Sequence, residues 1–242
     1  MNELIRSIHD AHIASYVYYG FHVLGFLGVF LFNMYYGRHY GLSKSKAVLA
    51  SLIVYPLTYA WMLLLYWIEQ GAFGGQNIVR VFIYVPLIAL LPARLFHVRW
   101  AHMCDFLAPS PLIVHGISHL GCIFQGCCHG YAYSSPMAVY NPDLGTYLRP
   151  IQPLESAAAL AIVFWIVLRA RRLNYKTECT SFPLMLLAFG LTRFFQEFAR
   201  DNEKVFLGCS ILAFHALLAA VVGAAWLIVL RRRKKTAVGP SL

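Results

Sequence analysis

Seven apolar runs recur along this chain, at about 16 to 36, 47 to 68, 78 to 96, 106 to 126, 153 to 169, 182 to 198 and 208 to 230. Each is close to the roughly 20 residues that carry a helix across the hydrocarbon core of a bilayer. In hydrocarbon every backbone amide must find its partner within the protein, and a helix does so inside one segment. Little else is left to fold: with 60% of its 242 residues apolar and 12% charged, the chain has too little polar surface for a water-soluble globule. The expected fold is an all-α polytopic membrane protein of about seven transmembrane helices, a single domain over residues 1 to 242.

Basic residues set the orientation, because positively charged loops stay on the cytoplasmic side. Alternate loops hold Arg38, Lys44 and Lys46, then Arg94 and Arg99, then Arg169, Arg171, Arg172 and Lys176, and finally Arg231, Arg232, Arg233, Lys234 and Lys235. The opposite side holds only Arg6, Arg149, Arg200 and Lys204, while Arg80 and Arg193 fall inside predicted spans. The N-terminus is expected outside and the C-terminus cytoplasmic, with residues 231 to 242 as a basic tail. The net charge of +10 then calls for no nucleic-acid partner, since basic loops beside anionic headgroups account for it. Residues 1 to 15 lack the regions of a secretory signal and are expected to form a short amphipathic helix on the outer interface.

The run SHLGCIFQGCCHG, 118 to 130, places histidines and cysteines where ionisable groups are expensive. His115, His119 and Cys122 follow i, i+4, i+7 spacing and share one helical face. Gly116, Gly121, Gly126 and Gly130 remove side chains around them, admitting another backbone or a lipid headgroup. One reading makes the polar groups hydrogen-bonding residues of the bundle interior, with glycines allowing tight packing. Another makes His115, His119 and Cys122 a metal site, imidazole and thiolate being preferred zinc ligands. Yet the spacing is that of no standard finger, and adjacent Cys127 and Cys128 rarely serve one ion together, so no metal or cofactor is assigned. Cys104, Cys179 and Cys209 read as small apolar residues.

LTRFFQEFARDNE, 191 to 203, repeats the i, i+4, i+7 pattern with Arg193, Glu197 and Arg200. It reads as a charge-paired stripe in which Arg200 snorkels to water. The preferred reading is a phosphate cradle of two guanidinium forks, which at headgroup depth implies a phospholipid.

Together these segments resemble the prolipoprotein diacylglyceryl transferase family of the bacterial inner membrane. The resemblance rests on YYGFHVLGF (18 to 26), on CDFLAPSPLIVHGISHLGCIFQGCCHG (104 to 130), on PMAVYNP with RPIQPLES, and on FGLTRFFQEFARD. Pro150, Gln152 and Glu155 match a P-x-Q-x-x-E helix start, and Gly190, Arg193, Glu197 and Arg200 match a Y-G-x-x-R-x-x-x-E-x-x-R helix. Departures cluster in the signature: His119 stands for an arginine, Cys122 and Gln125 for asparagines and Cys127 for a glutamate. Phe189 replaces a tyrosine, and Val79 stands where the family commonly has a histidine. His119 keeps a donor but loses the bidentate fork.

The resemblance implies transfer of diacylglycerol from phosphatidylglycerol to the lipobox cysteine of a prolipoprotein signal peptide, in the inner membrane and without a cofactor. Thiolate is the nucleophile, so a base must take its proton or a cation must lower its pKa. By this analogy His119 or His129 is the base, Arg193 and Arg200 face the departing phosphate, and Glu197 orients them. Tyr19, Gln125, Gly130, Gln152 and Glu155 are the further phospholipid-binding positions. Two alternatives stay open. A diverged relative with another acceptor would use Cys127 or Cys128 as a covalent nucleophile, and a non-catalytic protein would only bind lipid or metal.

Overall fold

The computed structural model describes residues 1–71 and 82–237, most of them helical. In chain order these form α1 (Asn2–Asp10), α2 (Ala14–Tyr36), a 3-10 turn (Gly37–Tyr40), α3 (Lys44–Gln70), α4 (Val85–Ile88), α5 (Leu90–Leu95), α6 (Trp100–Leu107) and α7 (Ser110–Gln125). A hairpin of β1 (Val139–Asn141) and β2 (Thr146–Leu148) follows, then α8 (Ile151–Arg172), α9 (Ser181–Glu197) and α10 (Ile211–Ala237).

Among the described residues, five helical segments are long and apolar enough to cross a membrane: Ala14–Tyr40, Lys44–Ile68, Trp100–Gln125, Ile151–Arg172 and Ile211–Lys234. Two of the seven predicted runs differ. The run at 78 to 96 gives a shorter apolar helix, Val85–Leu95; Val79 and Arg80 lie outside the described residues. The run at 182 to 198 gives α9, whose 17 residues include Arg193 and Glu197 and reach about 25 Å at 1.5 Å per residue.

Trp100–Gln125 is the central element: 89% of its apolar window is buried within the protein, against 17% for Ala14–Tyr40. It is broken at Ala108 and Pro109, where α6 ends and α7 starts, because proline lacks the amide to continue the ladder. α2 and α8 pack on α7, while α9 packs on α8 and α10. Buried polar groups fasten the bundle. Asn33 on α2 donates to Ser51 of α3 (2.9 Å) and accepts from Ser110 of α7 (2.9 Å), the interhelical hydrogen bonding that replaces a hydrophobic drive in lipid. Asp105 of α6 accepts from Thr177 and from the amides of Cys179 (2.7 Å) and Ser181 (2.8 Å), placing its carboxylate at the start of α9, where free amides and the helix dipole favour an anion.

The connection at 127 to 150 departs from the all-α expectation, since it folds back as an antiparallel hairpin pairing Val139 with Leu148. Asn141 makes the turn locally, its Oδ1 accepting from the Leu144 amide at 3.1 Å, and its Nδ2 donates to the Gly126 carbonyl at 2.7 Å. That bond seats the hairpin on the end of α7. α1 is docked rather than lying alone at an interface: Ile5 is buried with Ile123 and Val139, and Asn2 exchanges hydrogen bonds with Ala138 and Tyr140.

Candidate active site

Three elements deliver the candidate residues. α7 presents His115, His119 and Cys122 on one buried face, as their spacing requires. α8 opens with Gln152 and Glu155, and α9 closes with Arg193 and Glu197, followed by Arg200 in the next turn. Gly116 and Gly121 fit the packing reading: a Cβ on Gly116 would meet the Leu160 side chain at 2.8 Å, and one on Gly121 would meet the Tyr18 carbonyl at 3.0 Å.

Glu155 is the hub of a buried ion network. Its Oε1 meets Arg193 Nη1 at 2.5 Å and Arg200 Nε at 3.0 Å, and its Oε2 lies 2.6 Å from His119 Nε2. Glu197 Oε1 lies 2.5 Å from Arg193 Nη2 and 3.6 Å from Arg200 Nη1, while its Oε2 accepts from Ser210 (2.6 Å) and Asn202 (2.8 Å). Two carboxylates thus balance two guanidiniums, the pairing that makes such burial tolerable. The predicted snorkelling of Arg200 is corrected: it is only 4% exposed, because Glu155, from a distant helix, supplies the carboxylate that water would otherwise replace. Arg193 has both terminal nitrogens committed. Arg200 directs Nη2 to the Cys128 carbonyl at 3.2 Å and lies 3.4 Å from His119 Nε2.

Both arginines line a cavity of about 420 Å³ together with His119, Cys122, Cys127 and Cys128. Phe26, Val54 and Met62 line the same cavity, so the space offers both polar and hydrocarbon-like lining. Cys122 Sγ lies 3.8 Å from His119 Nδ1, and the sulfurs of Cys122 and Cys128 lie within 4.8 Å of each other and of a ring nitrogen of His119. The chain reaches this arrangement through Gly126, which ends α7 in the left-handed region at φ 72°, and through Cys128, a non-glycine residue at φ 59°. Hydrogen bonds from Cys122 and Cys127, and behind them the Arg200 guanidinium, hold the Cys128 thiol below its ordinary range.

The other predicted residues are placed differently. Tyr19 is 64% exposed and does not line the cavity; its neighbour Tyr18 does. Helical phase carried that signal, since Tyr18 shares a face with His22 and with Gly25, whose Cβ would meet Ser118 of α7 at 2.8 Å. His129 lines a separate small void beside Arg149 and Gln152, its Nδ1 3.2 Å from the Gly130 carbonyl. Gly130 bridges to Arg200 through the backbone, and a Cβ there would meet Ala199 O at 2.7 Å, so it serves chain packing rather than headgroup approach. Gln152 donates to the Cys127 carbonyl at 2.8 Å and thereby holds the cysteine turn. Gln125 stands at the end of α7 outside the cavity lining. Sequence reasoning missed Asn202 and Ser210, which hold Glu197 from beyond α9.

Comparison with known proteins finds a match to the family model for prolipoprotein diacylglyceryl transferase over residues 17–230. A phosphatidylglycerol–prolipoprotein diacylglyceryl transferase of Chromohalobacter salexigens is 28% identical over 177 residues, 69% of this chain and 64% of that protein. A protein of the same name from Dehalococcoides mccartyi is 23% identical over 217 residues, 82% of this chain and 83% of that one. Phosphatidylglycerol–prolipoprotein diacylglyceryl transferase 2 of Clostridium perfringens is 24% identical over 111 residues, 44% of this chain and 43% of its own length. The match therefore spans less than half of the Clostridium protein and just under two thirds of the Chromohalobacter one.

Proposed function

Because this chain belongs to the prolipoprotein diacylglyceryl transferase family, we propose that it moves diacylglycerol from phosphatidylglycerol to a cysteine thiol, in the bacterial inner membrane. The acceptor is the lipobox cysteine of a prolipoprotein signal peptide. The observation that carries this reading is a single cavity lined both by two buried arginines and by apolar side chains. A phospholipid needs both kinds of lining. Seven crossings, with the N-terminus outside, complete the proposal: α9 and the segment containing Val85–Leu95 join the five long helices.

In the reaction, the acceptor sulfur forms a bond to the glyceryl carbon as that carbon's bond to phosphate oxygen breaks. Glycerol phosphate leaves with the electron pair, and the thiol proton must go to a base or be lost under the pull of a cation. Of the two imidazoles that the resemblance implies, His119 lines the cavity and His129 does not, so His119 is the one assigned to this step. Positive charge must be aimed at the departing phosphate. Arg200 is the better placed arginine, because its Nη2 is held by a carbonyl at 3.2 Å rather than by a carboxylate, and a phosphate oxygen competes more readily there. Arg193, Glu155 and Glu197 hold it in position.

The test is transfer of labelled diacylglycerol from phosphatidylglycerol to a lipobox peptide by purified protein. Wild type should label the peptide thiol, and Arg200→Lys should lose roughly 10²- to 10³-fold in turnover, the scale of one lost transition-state donor. Lipid bound without any label reaching the peptide would overturn transfer to a lipobox cysteine and leave the diverged relative with another acceptor or a binding protein.

A further inference from the structure

The Cys/His cluster is not explained by phosphate chemistry. A ring nitrogen of His119, Cys122 Sγ and Cys128 Sγ all lie within 4.8 Å of one another, and we propose that they bind a thiophilic divalent cation of the Zn²⁺ class where these residues line the cavity. The proposal does not depend on the identity of the acceptor.

Three observations converge on these atoms. The first is the orientation of the imidazole. Nε2 lies 2.6 Å from a carboxylate oxygen of Glu155, a distance at which two lone pairs repel, so Nε2 carries the proton. The more distant Arg200 Nη2, at 3.4 Å, does not reverse that assignment. In the neutral ring Nδ1 is then the unprotonated nitrogen, and it faces the sulfur of Cys122. A carboxylate that fixes the tautomer and leaves the other nitrogen free is the outer-shell arrangement of metal-binding histidines.

The second is the backbone. Cys128 adopts φ 59°, a conformation disfavoured for a residue with a Cβ, and in this turn its sulfur comes back to that of Cys122. The third is charge. The two carboxylates and two guanidiniums of the ion network already cancel, so a dication with two thiolates and a neutral imidazole adds no net charge, whereas a monovalent ion would leave one negative charge buried. Thiolate and imidazole are preferred ligands of zinc. Cys127 lies outside this triad, which leaves one tetrahedral position directed to protein or substrate, the pattern of catalytic rather than structural zinc sites. With the ion bound, both nitrogens of His119 would be committed, and the cation rather than this imidazole would lower the pKa of the acceptor thiol.

The experiment is metal analysis of the full chain, purified in detergent under reducing conditions, followed by exchange with Co²⁺. The expected results are about one zinc per chain and, with cobalt, a thiolate-to-metal charge-transfer band. Both should disappear in Cys122→Ser/Cys128→Ser, with the unfolding midpoint measured to show that the variant is folded. Glu155→Gln should weaken affinity roughly 10- to 100-fold, the usual effect of an outer-shell change. His115→Ala should keep the ion. Wild-type protein that takes up neither metal, or whose cysteines are found paired as a disulfide, would overturn the proposal. So would an ion retained in the folded cysteine variant and lost in His115→Ala, which would assign it to the histidine–carboxylate set instead.

Discussion

At the residue scale the decisive side chain is Glu155, which touches His119, Arg193 and Arg200 at once. Removing it leaves two buried guanidiniums facing Glu197 alone. Breaking a buried pair in this way costs about 3–5 kcal/mol, and for a chain of this size that is roughly 6 to 20 °C in unfolding midpoint. Glu155→Ala should therefore unfold well below wild type when heated in detergent; a change under about 2 °C would show that the network relaxes around the loss. The sequence reveals that Glu155, Arg193, Glu197 and Arg200 matter and that Arg193 has an acidic neighbour one turn away. It does not reveal the hub, because the partner of Arg193 lies 38 residues earlier and helical periodicity relates only residues within one helix. The same limit separates Tyr19 from Tyr18: two adjacent tyrosines look alike until the face of α2 that meets α7 is known.

At the scale of elements, the position of the arginines depends on how closely α9 and α10 approach. A Cβ on Gly190 would come within 2.6 Å of both Ala216 O and Ala220 N, and one on Gly223 within 2.6 Å of Pro183 O, so each helix rests on the other's backbone at a glycine. Small residues at such crossings are the means by which helices associate in lipid. Gly190→Leu should force the pair apart, lose about 1–3 kcal/mol or more through overpacking, and shift Arg193, which stands less than one turn along the same helix. Gly20→Ala is the contrast, since nothing lies within 4 Å of a Cβ there, and it should be neutral or stabilising by about 0.5–1 kcal/mol. Unfolding midpoints that fall equally in both variants would remove the packing argument. The apolar runs located α2, α3, α8 and α10 closely, because length and hydropathy are local properties. The hairpin after α7 was hidden, since its strands are three residues each and its anchor is the long-range bond from Asn141 to Gly126.

At the scale of the whole molecule, the fold separates basic connections from the candidate site. His39 stacks on Tyr175 with ring centres 3.7 Å apart, and Lys234 pairs with Glu178, so the 3-10 turn, the segment after α8 and the end of α10 gather at one end. The cysteine turn, the hairpin and Arg200 gather at the other. Charge counted along the sequence had already divided the loops in this way, because the bias toward basic cytoplasmic loops is written in composition and needs no tertiary contact. The proposed orientation should then not rest on the tail. Neutralising Arg231, Arg232, Arg233, Lys234 and Lys235 leaves nine basic residues at the same end against four at the other. A fluorescent reporter at the C-terminus that matures only in the cytoplasm should stay bright in this variant, and alkaline phosphatase inserted between α9 and α10 should stay active. Loss of both signals together would mean that the tail, and not the nine remaining basic residues, sets the topology.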